Sequence, residues 1–243
     1  MRRAGLVAAL VALVVVVVGW TTTSVADELT VYAASSLTEV LPRLQPSARY
    51  QFASSNQLAF QLRQGAAADV FASASPIYTQ DLHRAGLVER PRVFATNSLV
   101  LAVPRSNPAR IRSVYDLAKR PKLRLVVAGA KVPIGLYTRE VLKRVGQLKV
   151  LRKAVSQEPD VKGIVGKLAL GEADAGFVYA TDVRASSGRL VAIGLPARSQ
   201  PTIAYEVAVV RGSKNRAAAL EFVVELLDSG GRRELVRAGF GVP

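Results

Sequence analysis

The chain has 243 residues, half of them hydrophobic, with a formal net charge of +15, no cysteine and one histidine. The lack of cysteine excludes disulfides, thiolate metal ligands and lipid attachment through a cysteine. The positive charge is compatible with an anionic ligand, nucleic acid or an anionic membrane surface. The basic residues are scattered among apolar ones, which favours a solvated surface.

The first 26 residues are typical of a secretory signal peptide. Arg2 and Arg3 precede an apolar run from Leu6 to Trp20, and small residues around Ala26 fit a cleavage site. The run is shorter than the roughly 18 apolar residues of a spanning helix, so cleavage near Ala26 is preferred over a membrane anchor. Export to the periplasm argues against nucleic acid as a partner.

Predicted strands and helices alternate along the rest of the chain. The predicted strands are Leu29–Ala33, Tyr50–Ala53, Ala68–Ala74, Ser98–Val103, Leu123–Ala128, Ala175–Tyr179, Leu190–Ile193 and Tyr205–Val210. The predicted helices are Leu37–Leu44, Gln57–Gln64, Pro76–Ala85, Val114–Ala118, Ile134–Val145, Asp160–Leu170, Asn215–Leu227 and Gly231–Ala238. This alternation predicts an α/β fold of parallel sheets flanked by helices, with ligand beyond the carboxyl ends of the strands.

The sequence does not decide whether the chain crosses between two separate sheets. Ser98–Val103 and Tyr205–Val210 are either two strands that cross between lobes or ordinary central strands of one sheet.

Two serines, Ser36 and Ser55, follow short apolar strands at predicted helix starts. A helix start offers unpaired N–H groups and the positive end of a dipole, so it suits an anion. A serine nucleophile needs a base, but His83 lies within a predicted helix, and no Gly-x-Ser-x-Gly turn is present. The pattern therefore predicts a binding protein for a small anion and not an enzyme.

Three further positions, in the second half of the chain, also lie at predicted helix starts or strand ends. Pro133 and Asp160 each mark a predicted helix start, and Tyr179 ends a predicted strand. Gly135 is expected to let a ligand approach the backbone closely. Each position alone is weak evidence, because caps and turns occur in every α/β protein. Together they predict an opposing wall of donors.

Seven segments, taken together and in order, resemble the periplasmic molybdate-binding proteins of ABC importers. They are Val31-Tyr-Ala-Ala-Ser-Ser-Leu-Thr38, Phe52-Ala-Ser-Ser-Asn-Gln-Leu58, Gly65-Ala-Ala-Ala-Asp-Val-Phe-Ala-Ser-Ala74, Asn97-Ser-Leu-Val100, Val132-Pro-Ile-Gly-Leu-Tyr137, Asp160-Val161 and Gly176-Phe-Val-Tyr179. The resemblance implies two α/β lobes that close on the ligand, with residues 27–104 and 206–243 in lobe 1 and 105–205 in lobe 2.

The resemblance also implies five molybdate-binding positions. Ser36, Ser55 and Tyr179 would give hydroxyls, whereas Ile134 and Val161 would give mainly backbone N–H groups. The metal would be bound only as its oxyanion, molybdate or tungstate, with no cofactor. The implied partners are the membrane permease and ATPase of an ABC importer. The binding protein itself is expected to be a monomer. The alternatives are a sulfate or other oxyanion binder, or a membrane-tethered signalling module of the same fold.

Three departures from the family pattern bear on the site. Ile134 stands where alanine is more frequent, which a backbone donor tolerates if the side chain points away. Asn56 replaces a frequent third serine. The stretch from Thr38 to Tyr50 is short, which predicts a truncated first helix.

Overall fold

The computed structural model describes residues 28–243, so the predicted signal peptide lies outside the described residues. The strands are β1 Thr30–Ala34, β2 Arg49–Ala53, β3 Val70–Ser73, β4 Arg92–Asn97, β5 Leu99–Pro104, β6 Leu125–Ala128, β7 Ala154–Glu158, β8 Ala175–Tyr179, β9 Leu190–Ile193 and β10 Ile203–Val209. The α-helices are α1 Leu41–Leu44, α2 Ser55–Arg63, α3 Pro76–Arg84, α4 Asp116–Lys119, α5 Pro133–Arg144, α6 Val161–Ala169, α7 Ala180–Ala185, α8 Arg216–Leu227 and α9 Ser229–Ala238. Short 3₁₀ segments lie at Ser35–Leu37, Leu148–Lys153 and Ala197–Ser199.

Two five-stranded sheets organise these elements. The first has the strand order β2-β1-β3-β10-β4 and the second β7-β6-β8-β5-β9. In each sheet three neighbouring strands are parallel and the last two run antiparallel to their neighbours. We call each sheet with the helices around it a lobe. The predicted α/β architecture is therefore present, with an antiparallel pair added to each parallel core.

The chain passes between the lobes at two places. Ser98 alone separates β4 of the first sheet from β5 of the second, and residues 194–202 join β9 to β10. The predicted lobe ranges differ from this arrangement, because they assign Leu99–Pro104 to lobe 1 and residues 203–205 to lobe 2. The crossing at Ser98 lies at the start of Ser98–Val103, one of the two segments considered as crossing strands, but neither Gly nor Pro marks the exact position.

Most predicted elements agree with the structure to within a few residues, but the helix predicted over Leu37–Leu44 forms only in its second half. The 3₁₀ segment Ser35–Leu37, a turn at residues 38–40 and the four-residue α1 occupy this stretch, in agreement with the predicted truncation of the first helix. Sequence reasoning also missed β4, β7 and α7. β7 alternates between half-buried and exposed positions, but its sequence Ala-Val-Ser-Gln-Glu does not alternate between apolar and polar residues, so no sequence pattern identified it as a strand.

A large hydrophobic cluster joins the two lobes. It includes Val31 and Val70 from the first sheet and Leu101 and Val126 from the second, all fully buried. A smaller cluster around Phe71 packs on the other face of the first sheet. None of the described helices has both the length and the apolar character required to cross a bilayer.

Candidate anion-binding site

The five predicted site residues meet at one small cavity between the lobes. All five are buried, with at most 5% of each exposed. The cavity is lined by Ala34, Ser35, Ser36, Ser54, Ser55, Ala74, Val132, Pro133, Ile134, Asp160, Val161 and Tyr179.

Strand register explains this convergence. In the first sheet, Ala34 pairs with Ala53 in parallel register, so the serines that follow β1 and β2 leave the same edge. In the second sheet Ala128 pairs with Glu158, and the loops that follow lead to α5 and α6. Parallel strands place their carboxyl ends side by side, and the two edges face each other across the cavity.

Ser36 lies in the 3₁₀ turn Ser35–Leu37 and not at an α-helix start, which corrects the sequence prediction. Its Oγ lies 2.9 Å from the Tyr205 hydroxyl oxygen in a fully buried contact. The serine is thus positioned by a side chain from β10 and not by helix capping.

Ser55 is the first residue of α2 and fits the predicted helix start. Its Oγ accepts a hydrogen bond of 3.0 Å from the backbone N–H of Ala74. A backbone N–H can only donate, so the hydroxyl proton of Ser55 remains available for a ligand. Neighbouring Ser54 donates to the Gln57 side chain instead.

Ile134 and Val161 lie in the first turns of α5 and α6. The first N–H groups of a helix have no intrahelical partner, so these two amides are free to bind an anion. The Ile134 side chain belongs to the hydrophobic core, as expected for a residue that contributes only its backbone. The Asp160 carboxylate accepts from the N–H of Gly163 and caps α6.

Gly135 has a different role from the one expected. A Cβ at this position would lie 2.1 Å from the carbonyl oxygen of Gly129 and 2.9 Å from that of Ala128. The glycine therefore permits close packing of α5 on the end of β6, and it is not among the residues that line the cavity.

Tyr179 ends β8 and is 1% exposed. Its hydroxyl has no hydrogen-bond partner among residues 28–243. Burial, followed by the nearby hydroxyls of Tyr205 and Tyr137, raises the Tyr179 pKa well above 10, so the group stays protonated. A buried hydroxyl without a partner costs free energy, and a bound anion would satisfy it.

Residues 29–241 match the family described as bacterial extracellular solute-binding protein. The chain belongs to this family.

Relatives of this solute-binding protein include the molybdate-binding protein ModA of Mycobacterium tuberculosis. It is 34% identical over 228 residues, which span 90% of this chain and 86% of the relative. ModA of Escherichia coli is 32% identical over 210 residues, covering 79% and 81% of the two chains. The predicted family resemblance is confirmed by these matches.

A solved structure supports the fold of the solute-binding protein. The Azotobacter vinelandii periplasmic molybdate-binding protein superposes with a TM-score of 0.80 over 89% of this chain and 100% of that one. Sequence identity is 21%, so this likeness bears on the fold alone.

Sequence reasoning missed two groups of polar residues around the site. One is the pair Asn97 and Tyr205, which contacts Ser36. The segment beginning at Asn97 contributed to the resemblance, but neither residue had any predicted role. Because they are distant in sequence and meet only through strand pairing, no local pattern could have joined them.

The second group is a charged trio of Glu39, Lys162 and Asp182. Lys162 Nζ lies 2.8 Å from a Glu39 oxygen and 3.3 Å from Asp182 Oδ1. The other Asp182 oxygen accepts from the Tyr179 backbone N–H at 3.1 Å. Burial raises the pKa of Asp182 to about 6, against the lowering effect of Lys162. Burial also lowers the Lys162 pKa, but the two carboxylates outweigh it and keep that pKa above its usual value.

Proposed function

We propose that this protein binds molybdate, and tungstate by the same contacts, in the periplasm and delivers it to an ABC importer. The observation that carries the proposal is the buried, unpartnered Tyr179 hydroxyl beside two serine hydroxyls and two helix N-termini. The ModA relatives, whose names state molybdate binding, support the choice of ligand.

In this proposal Ser36, Ser55 and Tyr179 donate through hydroxyls, and Ile134 and Val161 donate through backbone N–H groups. All five donors are uncharged. A hydrogen bond to a charged group contributes about 1.5–3 kcal/mol, so several of them between closed lobes give tight binding after the cost of closure. No cofactor takes part, and the metal is held only through its oxygens.

The five proposed ligand contacts are all donors, and Asp160, which also lines the cavity, accepts from the Gly163 N–H as the cap of α6, so the site selects against protonated anions. A protonated phosphate would leave its O–H without a partner in the buried site, and its binding would be penalised. Molybdate, tungstate and sulfate carry no proton near neutral pH, so cavity size must separate them. Sulfate is therefore the main competing ligand.

The remaining parts of the proposal concern where the protein works and in what form. We propose that residues 1–26 direct export and are removed near Ala26, and that the mature chain acts as a monomer with the permease and ATPase of its importer. We also propose that it has no catalytic activity. His83 supports this, since its ring contacts the Val88 carbonyl at 3.2 Å and lies on α3, away from the residues that line the cavity.

Isothermal titration calorimetry with molybdate, tungstate, sulfate and phosphate tests the proposal. We expect molybdate and tungstate to bind most tightly, phosphate not to bind, and Ser36→Ala and Ser55→Ala each to weaken molybdate binding. A preference for sulfate over molybdate would overturn the proposed ligand. Unchanged affinity in both serine variants would overturn the proposed site.

A further inference from the structure

We propose that Asn97 is a specificity-determining residue, which sets the direction of a hydrogen-bond chain through Tyr205 and forces Ser36 to act as a donor. These hydrogen-bonded side chains extend from Asn97, next to the lobe crossing at Ser98, to Ser36 at the cavity. This inference rests on the proposed function and adds a reason why the site rejects anions that carry a proton.

The orientation of the Asn97 amide is fixed by its neighbours. Its Oδ1 accepts from the Ser98 backbone N–H at 2.9 Å, and that N–H can only donate. The amide nitrogen must therefore be Nδ2, which donates at 2.9 Å to the Thr181 hydroxyl and at 3.4 Å to the Tyr205 hydroxyl. Thr181 belongs to α7 of the second lobe, so Asn97 links the two lobes as well.

The hydrogen bond from Asn97 determines where the hydroxyl proton of Tyr205 can point. Tyr205 is fully buried, and burial raises its pKa far above its usual value, so its hydroxyl keeps its proton. Asn97 Nδ2 cannot accept the Tyr205 proton, and the nearby Tyr179 hydroxyl is not in hydrogen-bond geometry with any described residue. The Tyr205 proton is therefore directed to Ser36 Oγ at 2.9 Å. Ser36 then accepts from Tyr205, and its own proton is left for the cavity.

Reversing this chain would create an acceptor in the site. If Tyr205 could donate elsewhere, Ser36 could donate to the Tyr205 oxygen and accept a proton from the ligand. Asn97 prevents the reversal because its Nδ2 has no lone pair to accept the Tyr205 proton. Ser55 is restricted independently, since the Ala74 N–H occupies its oxygen.

Asn97→Asp is the variant that tests this direction. It keeps the size of the side chain and an oxygen for the Ser98 N–H, but replaces the donor by a carboxylate oxygen that accepts from Tyr205. Ser36 can then donate to the Tyr205 oxygen, and Tyr205 can donate to the new carboxylate. We expect the affinity for hydrogen phosphate, relative to sulfate and molybdate, to rise about tenfold or more.

The added charge requires a control. In mildly alkaline buffer hydrogen phosphate, sulfate and molybdate are all dianions, so repulsion by the new carboxylate weakens all three. Sulfate and phosphate are also similar in size, so their ratio isolates the ligand proton. The double variant Asn97→Asp/Tyr205→Phe keeps the charge but removes the relay, and its phosphate-to-sulfate ratio should return to that of the wild type.

The experiment is competition calorimetry on the wild type and both variants, with folding checked by thermal unfolding. A wild type that binds none of the anions would overturn the proposed function and this inference with it. A wild type that binds molybdate and excludes phosphate, with no relative gain for phosphate in Asn97→Asp, would overturn the inference alone. An equal gain in the double variant would also overturn it.

A variant without new charge covers the case in which Asn97→Asp does not fold. Tyr205→Phe leaves the Ser36 hydroxyl without its fixed partner, so molybdate and sulfate should bind several-fold more weakly. The matched control is Tyr50→Phe, which removes a hydroxyl bonded to the carbonyls of Leu41 and Gln45 outside the cavity. Equal affinities in Tyr205→Phe, Tyr50→Phe and the wild type would overturn the inference.

Discussion

Lys162 Nζ lies 2.8 Å from the Glu39 carboxylate, and this ion pair joins α6 of the second lobe to the segment before α1 of the first. Lys162 directly follows Val161, whose N–H faces the cavity in the proposed site. The pair therefore holds the two lobes together beside the position of one proposed ligand donor.

We expect Glu39→Gln to loosen this closure. Partly exposed ion pairs contribute about 0.2–1 kcal/mol, so molybdate affinity should fall by less than about fivefold, mainly through faster dissociation. The effect should shrink at high salt, because salt screens the pair in the wild type. Stopped-flow dissociation at two ionic strengths measures both.

The control for the ion-pair variant is Asp81→Asn. It breaks the ion pair between Arg63 and Asp81, which joins α2 and α3 within one lobe. Its dissociation rate should equal that of the wild type. If Glu39→Gln also dissociates at the wild-type rate, the pair does not contribute to closure.

Tyr179→Phe should separate binding from stability. The lost hydroxyl has no partner among the described residues, so the ligand-free protein should be as stable as the wild type or more so. Molybdate binding should weaken by about 1.5–3 kcal/mol, or roughly tenfold to more than a hundredfold. Calorimetry and thermal unfolding without ligand check the two parts. A loss of stability with unchanged affinity would show that the hydroxyl has a structural role instead.

Gly135→Ala should lower stability, because the added methyl group meets the Gly129 carbonyl oxygen. Overpacking of this kind costs about 1–3 kcal/mol. Any shift of α5 would displace the Ile134 N–H as well, so we expect weaker molybdate binding. Chemical denaturation and calorimetry measure the two effects.

Gly166→Ala is the matched substitution in the neighbouring helix. Gly166 lies inside α6, and outside the adjoining helix backbone a Cβ there would have no heavy atom of the described residues within 4 Å. Replacing a helical glycine by alanine should raise stability by about 0.5–1 kcal/mol and leave binding unchanged. If both variants behaved alike, close packing at Gly135 would not be the reason for the glycine.

The sequence predicted the parts of this protein that depend on local pattern. Ser55 follows a recognisable strand-to-helix transition and Asp160 marks a recognisable helix start, so these positions could be expected from residue order alone, whereas Val161 was implied only by the family resemblance. The contacts that orient the site could not. Asn97 and Tyr205 meet through the antiparallel pairing of β4 with β10, and Glu39 meets Lys162 only when two lobes face each other. Such contacts depend on topology, which periodicity does not encode.

The pH dependence of stability should report on Asp182. Its pKa is raised from 3.8 to about 6 by burial, so between these values the folded protein holds a proton that the unfolded chain has released. Raising the pH through this window therefore favours the unfolded state. The stability that Asp182 contributes is fully present below about pH 3.8 and is lost as the pH rises through about 6.

The measurement compares the wild type with Asp182→Asn, which can still accept from the Tyr179 N–H but does not titrate. The free energy of unfolding of the wild type, minus that of the variant, should fall by on the order of 2–3 kcal/mol between pH 4 and pH 7. Urea denaturation across this range gives the difference. A constant difference, or one that rises with pH, would show that Lys162 outweighs burial and keeps the Asp182 pKa at or below its ordinary value.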